Sequence, residues 1–252
     1  MNIFDKIKPI LFEAGQEILG IYESNNFGTV IKNDNSPVTN ADRISNEIIL
    51  RGIKSFSNNL IISEEIVNSE IRISENENFW LVDPLDGTKD FLAKNDEFAI
   101  VISLIKNSEP VFGVIYLPIL NIYYWAEKGL GSFKNYNRIY NNSKRQGNDI
   151  IGTVSRFHET KEDICFFEKN NITNITKFGG AIKFCRMAEG EVDIYPRFVG
   201  SSEWDTAAGQ LLVSEAGCRV IDMVTNNDML YNKVDFRNNN FIAIRNGLPI
   251  NN

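Results

Sequence analysis

At 252 residues, with 43% hydrophobic and 23% charged residues, the chain has the length and balance of an ordinary globular protein of one large domain or two small ones. A formal charge of −7 argues against a nucleic-acid-binding face, which needs clustered Lys and Arg to neutralise backbone phosphates. It leaves room for a small phosphate ester held through metal ions, because bound cations invert the local sign.

The N-terminal stretch carries apolar residues at Ile3, Ile7, Ile10, Leu11, Ala14, Ile18 and Ile21. This is helical periodicity broken by charges throughout, so it reads as an amphipathic helix and neither a signal peptide nor a membrane span. Residues Asn25 to Asn40, with Gly28 and Pro37, read as a loop or loose hairpin. A second helix follows from Thr39-Asn40-Ala41-Asp42, with Ala41, Ile44, Ile48, Ile49, Ile53 and Phe56 as its apolar face.

Leu60 to Ser63 is a short apolar run ending on the pair Glu64 and Glu65, and Phe79-Trp80-Leu81-Val82 is another that stops on Asp83. Both read as buried strands that deliver carboxylates at their ends, joined by a polar connector over Asn68 to Asn78. Three apolar runs between Phe98 and Phe133 suggest an antiparallel meander. The Asn-rich tract Asn137 to Asn148 reads as a surface loop and a boundary, dividing residues 1–145 from 146–252 within one compact unit that holds the site between them.

In the second part, strands are expected over Ile151 to Ser155, Ile172 to Phe178, Glu191 to Tyr195, Arg219 to Ile221 and Phe241 to Ile244. Helices are expected near Thr160 to Lys169, Ala181 to Glu189 and Asp205 to Glu215. The alternation implies sheets covered by helices, a layered α+β fold. The cysteines Cys165, Cys185 and Cys218 have no metal-binding spacing and are odd in number, which fits a reducing cytoplasm better than a disulfide framework.

The most informative stretch is Asp83-Pro84-Leu85-Asp86-Gly87-Thr88. Pro84 fixes its own φ and Gly87 tolerates positive φ, so the chain can turn and bring two carboxylates to one side, where they repel unless a cation lies between them. Oxygen donors without thiol or imidazole point to magnesium, manganese or calcium. If Gly87 and Thr88 open a helix, their amides offer a site for a phosphate. The acidic spacing does not fit an EF-hand loop.

Each feature also has a plainer reading. Asp83 and Asp86 can be turn residues, Glu64 and Glu65 a solvated strand end, and Asp205 a first-turn carboxylate favoured by the helix dipole. Asp42 fits a capping box with Thr39.

Taken together, Ile62-Ser63-Glu64-Glu65, Trp80 to Thr88 and Trp204-Asp205-Thr206-Ala207-Ala208-Gly209 resemble the inositol monophosphatase superfamily, in order and spacing, over nearly the whole chain. Within it, Asp86 to Phe91, Val154-Ser155-Arg156, Lys183-Phe184-Cys185 and Tyr195-Pro196-Arg197-Phe198 look most like the bacterial 3′(2′),5′-bisphosphate nucleotidase branch. The resemblance implies an αβαβα sandwich, the sugar-phosphatase or inositol monophosphatase-like fold. It implies a phosphatase that removes the 3′-phosphate of adenosine 3′,5′-bisphosphate, and acts on 3′-phosphoadenylyl sulfate, linking the chain to sulfate assimilation. An inositol, sugar or histidinol phosphatase is the alternative, and a non-catalytic metabolite-binding protein a remoter one.

The same resemblance implies two or three Mg²⁺ ions, with Mn²⁺ as a substitute. Glu64, Asp83 and the Leu85 carbonyl would hold the first, and Asp83, Asp86 and Asp205 the second. Thr88, hydrogen-bonded to Asp42, would orient the attacking water, with Glu65 assisting, and the Gly87 and Thr88 amides would face the phosphate. Glu64, Leu85, Asp86 and Asp205 would also contact the substrate.

Lys183 and Arg197 are candidates for a remote phosphate, each with a plain reading as a surface charge, and Arg156 and His158 are weaker ones. Two departures bear on the substrate: Gly179-Gly180-Ala181 where the branch shows Gly-Ser-Ser, and Ala93 where the superfamily carries a polar residue. A monomer or homodimer is expected, in the cytoplasm or peripheral to the inner membrane, with a small phosphorylated metabolite as its partner.

Overall fold

The structure is a computed structural model that describes residues 2–31, 37–66, 73–74 and 77–250. The expected connector Asn68 to Asn78 lies mostly outside the described residues.

Helix α1 (Ile3–Ser24) is followed by the two short strands β1 (Val30–Ile31) and β2 (Pro37–Val38), which pair antiparallel, the loose hairpin that the polar Gly and Pro segment suggests. Helix α2 (Asn40–Lys54) starts at a Thr39 N-cap. Then come β3 (Leu60–Ser63), β4 (Phe79–Asp86), the short helix α3 (Thr88–Leu92), and a run of five strands: β5 (Ala99–Lys106), β6 (Glu109–Leu117), β7 (Ile122–Glu127), β8 (Gly131–Lys134) and β9 (Asn137–Ile139). The second half contains β10 (Ile151–Ser155), α4 (Lys161–Lys169), β11 (Asn174–Phe178), α5 (Ile182–Ala188), β12 (Ile194–Arg197), α6 (Glu203–Glu215), β13 (Cys218–Asp222) and β14 (Phe241–Arg245).

The strands build two mixed sheets. One has the order β3-β4-β5-β6-β7-β8-β9, parallel only at β3–β4, and the other β11-β10-β12-β14-β13, parallel at β10–β11 and β10–β12. Alternation along each strand sends apolar side chains to both faces, so each sheet must be covered twice. On one face of the larger sheet, α1 and α2 bury Phe4, Ile7, Leu11, Ile49 and Ile53 against Trp80, Phe112 and Tyr116. On its other face α5 and α6 fill the space between the sheets, where Met187, Leu212 and Val213 pack with Val101, Ile115, Tyr124, Val220 and Phe241. Phe166 and Phe167 of α4 close the outer face of the second sheet over Val154, Ile194 and Ile242. The layers therefore run α, β, α, β, α.

Several elements differ from the reading of the sequence. Strand β4 does not stop at Asp83 but continues through Pro84 to Asp86, with a bulge between Asp83 and Asp86 where the ladder to β5 skips. The missing amide of Pro84 is tolerated there because a bulge leaves a residue unpaired. The Asn-rich tract is not all surface loop: Asn137–Ile139 pairs with β8, and buried Asn141 donates from Nδ2 to the carbonyls of Met187 (2.8 Å) and Val192 (3.1 Å). Long-range hydrogen bonds, not apolar burial, order that segment. Helix α6 begins at Glu203, two residues before Asp205, because Ser202 is its N-cap.

Candidate active site

The ends of β3 and β4, the starts of α3, α5 and α6, and the end of β12 meet around one cavity of about 220 Å³. Its walls include Glu64, Asp83, Leu85, Asp86, Gly87, Thr88, Lys183, Arg197 and Asp205. The structure thus brings together residues from both halves of the chain. Of the residues singled out from sequence, Asp42, Glu65 and Arg156 are not among those lining the cavity, whereas His158 is.

Local structure explains how each carboxylate arrives. The Glu64 amide donates to the Val82 carbonyl at 3.1 Å, which extends the β3–β4 pairing by one residue and sets Glu64 beside Asp83. Ser45 Oγ donates to the Pro84 carbonyl at 2.7 Å, tying the bulge to α2, and the Leu85 amide donates to Asp83 Oδ1 at 3.1 Å. Asp86 accepts from the Ala181 amide at the start of α5. Asp205, third residue of α6, accepts from the Ser202 amide at 2.7 Å as an N-terminal cap.

The electrostatics of this arrangement are unfavourable by themselves. Burial holds the Asp83 carboxyl well above the usual carboxylate range, and the nearby charges of Glu64, Asp86, Asp205 and Asp42 push it further. Burial raises Asp86 to about 6, with Lys183 and the Ala181 amide opposing the rise. Burial together with Glu64 and Asp86 raises Asp205 to about 7.

Among the described residues no three acidic, thiol or imidazole groups are yet arranged about one point as a metal shell. The three aspartates each spend an oxygen on a backbone amide instead. The donor set nevertheless fits a hard divalent cation: carboxylates and a carbonyl, with no sulfur or imidazole among them, and a mutual repulsion that a cation would cancel.

Asp42 sits just behind the cavity wall. It is buried, and its Oδ2 accepts from the Thr39 amide (2.7 Å) and hydroxyl (2.6 Å), completing the capping box of α2. Its Oδ1 faces Thr88 Oγ1 at 3.2 Å, a hydroxyl that also lies 3.1 Å from the Leu85 carbonyl. The capping reading and the Thr88 contact are therefore both present in one side chain. Glu65 follows Glu64 beyond β3, its amide donating to Ser63 Oγ at 3.4 Å.

Two cations, Lys183 and Arg197, line the same cavity. Lys183 is buried, donates to the carbonyls of Phe178 (3.2 Å) and Gly180 (2.5 Å), and lies 5.2 Å from the centre of the Tyr195 ring. Burial lowers it to about 8, although Asp86 pulls the other way. Neither Lys183 nor Arg197 is a solvated surface charge: the Nε of Arg197 is buried without a hydrogen-bond partner among the described residues. His158 is exposed and lies 3.0 Å from Lys89 Nζ; partial desolvation and the cations Lys89, Arg197 and Lys183 around it lower its pKa. Arg156 is committed elsewhere, donating twice to Glu97 at 3.0 and 2.8 Å.

The departures noted in the sequence now have a physical setting. Gly180 has φ +40°, and a β-carbon there would stand 2.2 Å from Asp86 Oδ2, so a side chain cannot enter without moving the turn off Asp86. Asp90, inside the Asp86 to Phe91 motif but given no role from sequence, and Glu97, which belongs to no local pattern that would single it out, both support this turn.

Comparison with known proteins agrees with this geometry. The model of the inositol monophosphatase family matches residues 5–247. The chain belongs to the inositol monophosphatase family. Among curated relatives of this family member, the 3′(2′),5′-bisphosphate nucleotidase CysQ of Buchnera aphidicola is 38% identical, over 96% of this chain and 93% of its own length. The protein of the same name from Escherichia coli K12 is 34% identical over 87% and 90%. Among solved structures, CysQ from Bacteroides thetaiotaomicron superposes with a TM-score of 0.79 at 33% identity, covering 94% of each chain. SuhB from Bartonella henselae gives 0.81 at 28% identity, covering 97% of this chain and 94% of that one. The family's layered α+β fold is the fold described above.

Proposed function

We propose that the protein is a Mg²⁺-dependent 3′(2′),5′-bisphosphate nucleotidase that converts adenosine 3′,5′-bisphosphate to AMP and phosphate, and that also accepts 3′-phosphoadenylyl sulfate. The observation that carries this reading is that one cavity is lined both by the carboxylates Glu64, Asp83, Asp86 and Asp205 and by the cations Lys183 and Arg197. A substrate with a reacting phosphate and a second, remote phosphate needs both: hard cations held by the carboxylates and fixed positive side chains in the same cavity. The relatives named for this activity support it.

In this reading Glu64, Asp83 and the Leu85 carbonyl hold one ion, and Asp83, Asp86 and Asp205 another, with room for a third and with Mn²⁺ as a substitute. Bound there, the ions supply Lewis-acid polarisation of the phosphoryl oxygens and lower the pKa of water. Thr88 orients the attacking water: its hydroxyl has one proton, and when that proton goes to Asp42 Oδ1, the oxygen lone pairs accept from water. Asp42 is fixed for this by the capping box, so the hydroxyl is aimed before substrate arrives. Glu65 lies outside the lining of the cavity, so the proton is taken up by solvent once metal binding has lowered the pKa of the water.

The Gly87 and Thr88 amides face the phosphoryl oxygens and stabilise their charge as the ester bond breaks. The departing ribose oxygen takes a proton from a second water. Arg197, whose buried Nε has no hydrogen-bond partner among the described residues, binds the remote phosphate, and Lys183 adds positive charge beside it.

The glycine-rich turn at Gly179-Gly180-Ala181 favours a second reading, a sugar or inositol monophosphatase, because it lacks hydroxyls for a nucleotide. The division at residue 145, a cytoplasmic location and a monomeric or homodimeric state go with the leading reading. No helix among the described residues is long and apolar enough to cross a membrane. Chromatography of the products from adenosine 3′,5′-bisphosphate tests the proposal: 5′-AMP is expected, and 3′-AMP would contradict it.

A further inference from the structure

Two tight turns form adjacent parts of the cavity wall, one at Gly87 from the larger sheet and one at Gly179 to Ala181 from the smaller. A single residue outside the cavity, Glu97, touches both. Its carbonyl oxygen lies where a β-carbon on Gly87 would come within 2.9 Å, and its carboxylate Oε2 accepts from the Gly179 amide at 2.7 Å. The same carboxylate receives Arg156 in a two-pronged contact, Nε at 3.0 Å and a terminal nitrogen at 2.8 Å.

Arg156 comes directly after β10; its amide donates to the Phe178 carbonyl at 3.2 Å and its guanidinium reaches the Lys177 carbonyl at 3.2 Å. It therefore fixes the end of β11 that leads into Gly179. Asp90 packs on the other side of the turn, where a β-carbon on Gly179 would come within 2.5 Å of its carboxyl group, and Arg156 lies 3.7 Å from it. The turn leads into α5, which carries Lys183, and supplies the Ala181 amide that donates to Asp86.

We infer that Glu97 and Arg156 are a positioning pair: clamped to each other across the two sheets, they set the seat of the Gly179 to Ala181 turn, and with it the placement of Lys183 against the remote phosphate of the substrate. Neither residue touches the substrate. The bidentate geometry gives the pair direction as well as charge, which a Lys in place of Arg156 cannot reproduce. Removing Glu97 releases the Gly179 amide and leaves Arg156 with only the more distant Asp90 carboxylate, so the turn loosens; Asp83 and Asp205 keep amide donors outside the turn, whereas Asp86 depends on the turn's Ala181 amide. The consequence for substrate selection rests on the bisphosphate nucleotidase reading; the anchoring of the turn does not.

The test compares the full-length wild type with Glu97→Gln, Arg156→Gln, Arg156→Lys and the double variant Glu97→Gln/Arg156→Gln, all with Mg²⁺. Hydrogen exchange across residues 177–187 reads the turn, and KM and kcat for adenosine 3′,5′-bisphosphate and for 3′-AMP, which lacks the remote phosphate, read the substrate. Faster exchange in this segment is expected in Glu97→Gln at an unchanged global melting temperature. KM for the bisphosphate should rise about tenfold while KM for 3′-AMP stays within about threefold of wild type, and any fall in kcat, through Asp86, should be the same for both substrates.

Arg156→Lys should recover part of the loss. The double variant should be no worse than either single change to Gln, the mark of residues acting as a unit. Unchanged exchange in residues 177–187 would overturn the anchoring, and an equal rise in KM for both substrates would overturn the selectivity. A wild type that does not prefer the bisphosphate would instead defeat the nucleotidase reading, and the exchange result alone would then decide the role of the pair.

Discussion

Asp42 divides its carboxylate between two neighbours: Oδ2 accepts from Thr39 at the start of α2, and Oδ1 lies 3.2 Å from the hydroxyl of Thr88. One side chain thus couples a helix cap to the orientation of a cavity hydroxyl. The two functions separate by mutation. Thr88→Ala should lower kcat about 10²-fold or more with little change in stability, the size expected for a general acid–base contact. Thr88→Ser should retain most activity. Asp42→Ala should lose activity and also about 1 kcal/mol of stability, the usual cost of a lost N-terminal cap. Steady-state kinetics alongside urea denaturation checks both.

The crowding of Asp83, Asp86, Asp205 and Glu64 predicts an opposite sign for stability without metal. Asp83→Asn removes a carboxyl that burial and the charges of Glu64, Asp86 and Asp205 hold above the usual range, so the metal-free protein should melt at the same temperature or a few degrees higher. The same variant should lose the rise in melting temperature that millimolar Mg²⁺ gives the wild type, since stabilisation by a ligand depends on its occupancy. Phosphate release should fall below about one per cent of wild type. Thermal melts with and without Mg²⁺ decide the matter, and a lower melting temperature without metal would count against the repulsion.

Arg197 and Lys183 should respond differently to truncation. Arg197 has a buried Nε with no hydrogen-bond partner among the described residues, so Arg197→Gln should raise KM for adenosine 3′,5′-bisphosphate about tenfold at no cost in stability. Lys183 donates to two backbone carbonyls, so Lys183→Gln should raise KM and also destabilise by about 1–2 kcal/mol. Melting curves that fail to separate the two variants would contradict this assignment.

Away from the cavity, Asp193 is gripped by Arg145 at 2.7 Å and Arg245 at 2.9 Å. Burial alone would raise its carboxyl, but the hydrogen bonds from Arg145, the Ile151 amide and Ser143 outweigh burial and hold it below the usual range. A lowered native pKa means that the stabilisation is present above the unfolded carboxylate value of about 3.9 and is lost as pH falls through the native value. Asp193→Asn should therefore cost about 2–3 kcal/mol at pH 7 and progressively less as the solution is acidified below about pH 4. Denaturation midpoints at pH 7, 4 and 3 measure it.

Much of the cavity was legible before the structure because its carboxylates sit at the ends of short apolar runs. Strands such as Leu60–Ser63 and Phe79–Val82 announce themselves by composition, and the residues just beyond them lie side by side because β3 and β4 pair in parallel. The helices α1 and α2 were legible for a similar reason, through apolar periodicity and the Thr39 cap.

The features that could not be read depend on partners far away in the chain. Asn141 is ordered by carbonyls 46 and 51 residues distant, β4 passes Pro84 only because a bulge accommodates it, and Glu97 acquires its role from Gly179, 82 residues on. The single-residue signals there, an Asn in a polar tract and a Glu in a loop, are the same as those of solvated surface.

The most direct test of the account is phosphate release from adenosine 3′,5′-bisphosphate and from inositol 1-phosphate, side by side, with Mg²⁺ and with EDTA. The account predicts release that requires Mg²⁺ and a kcat/KM at least tenfold higher for the nucleotide. Release that persists in EDTA, or a preference for the inositol ester, would contradict it.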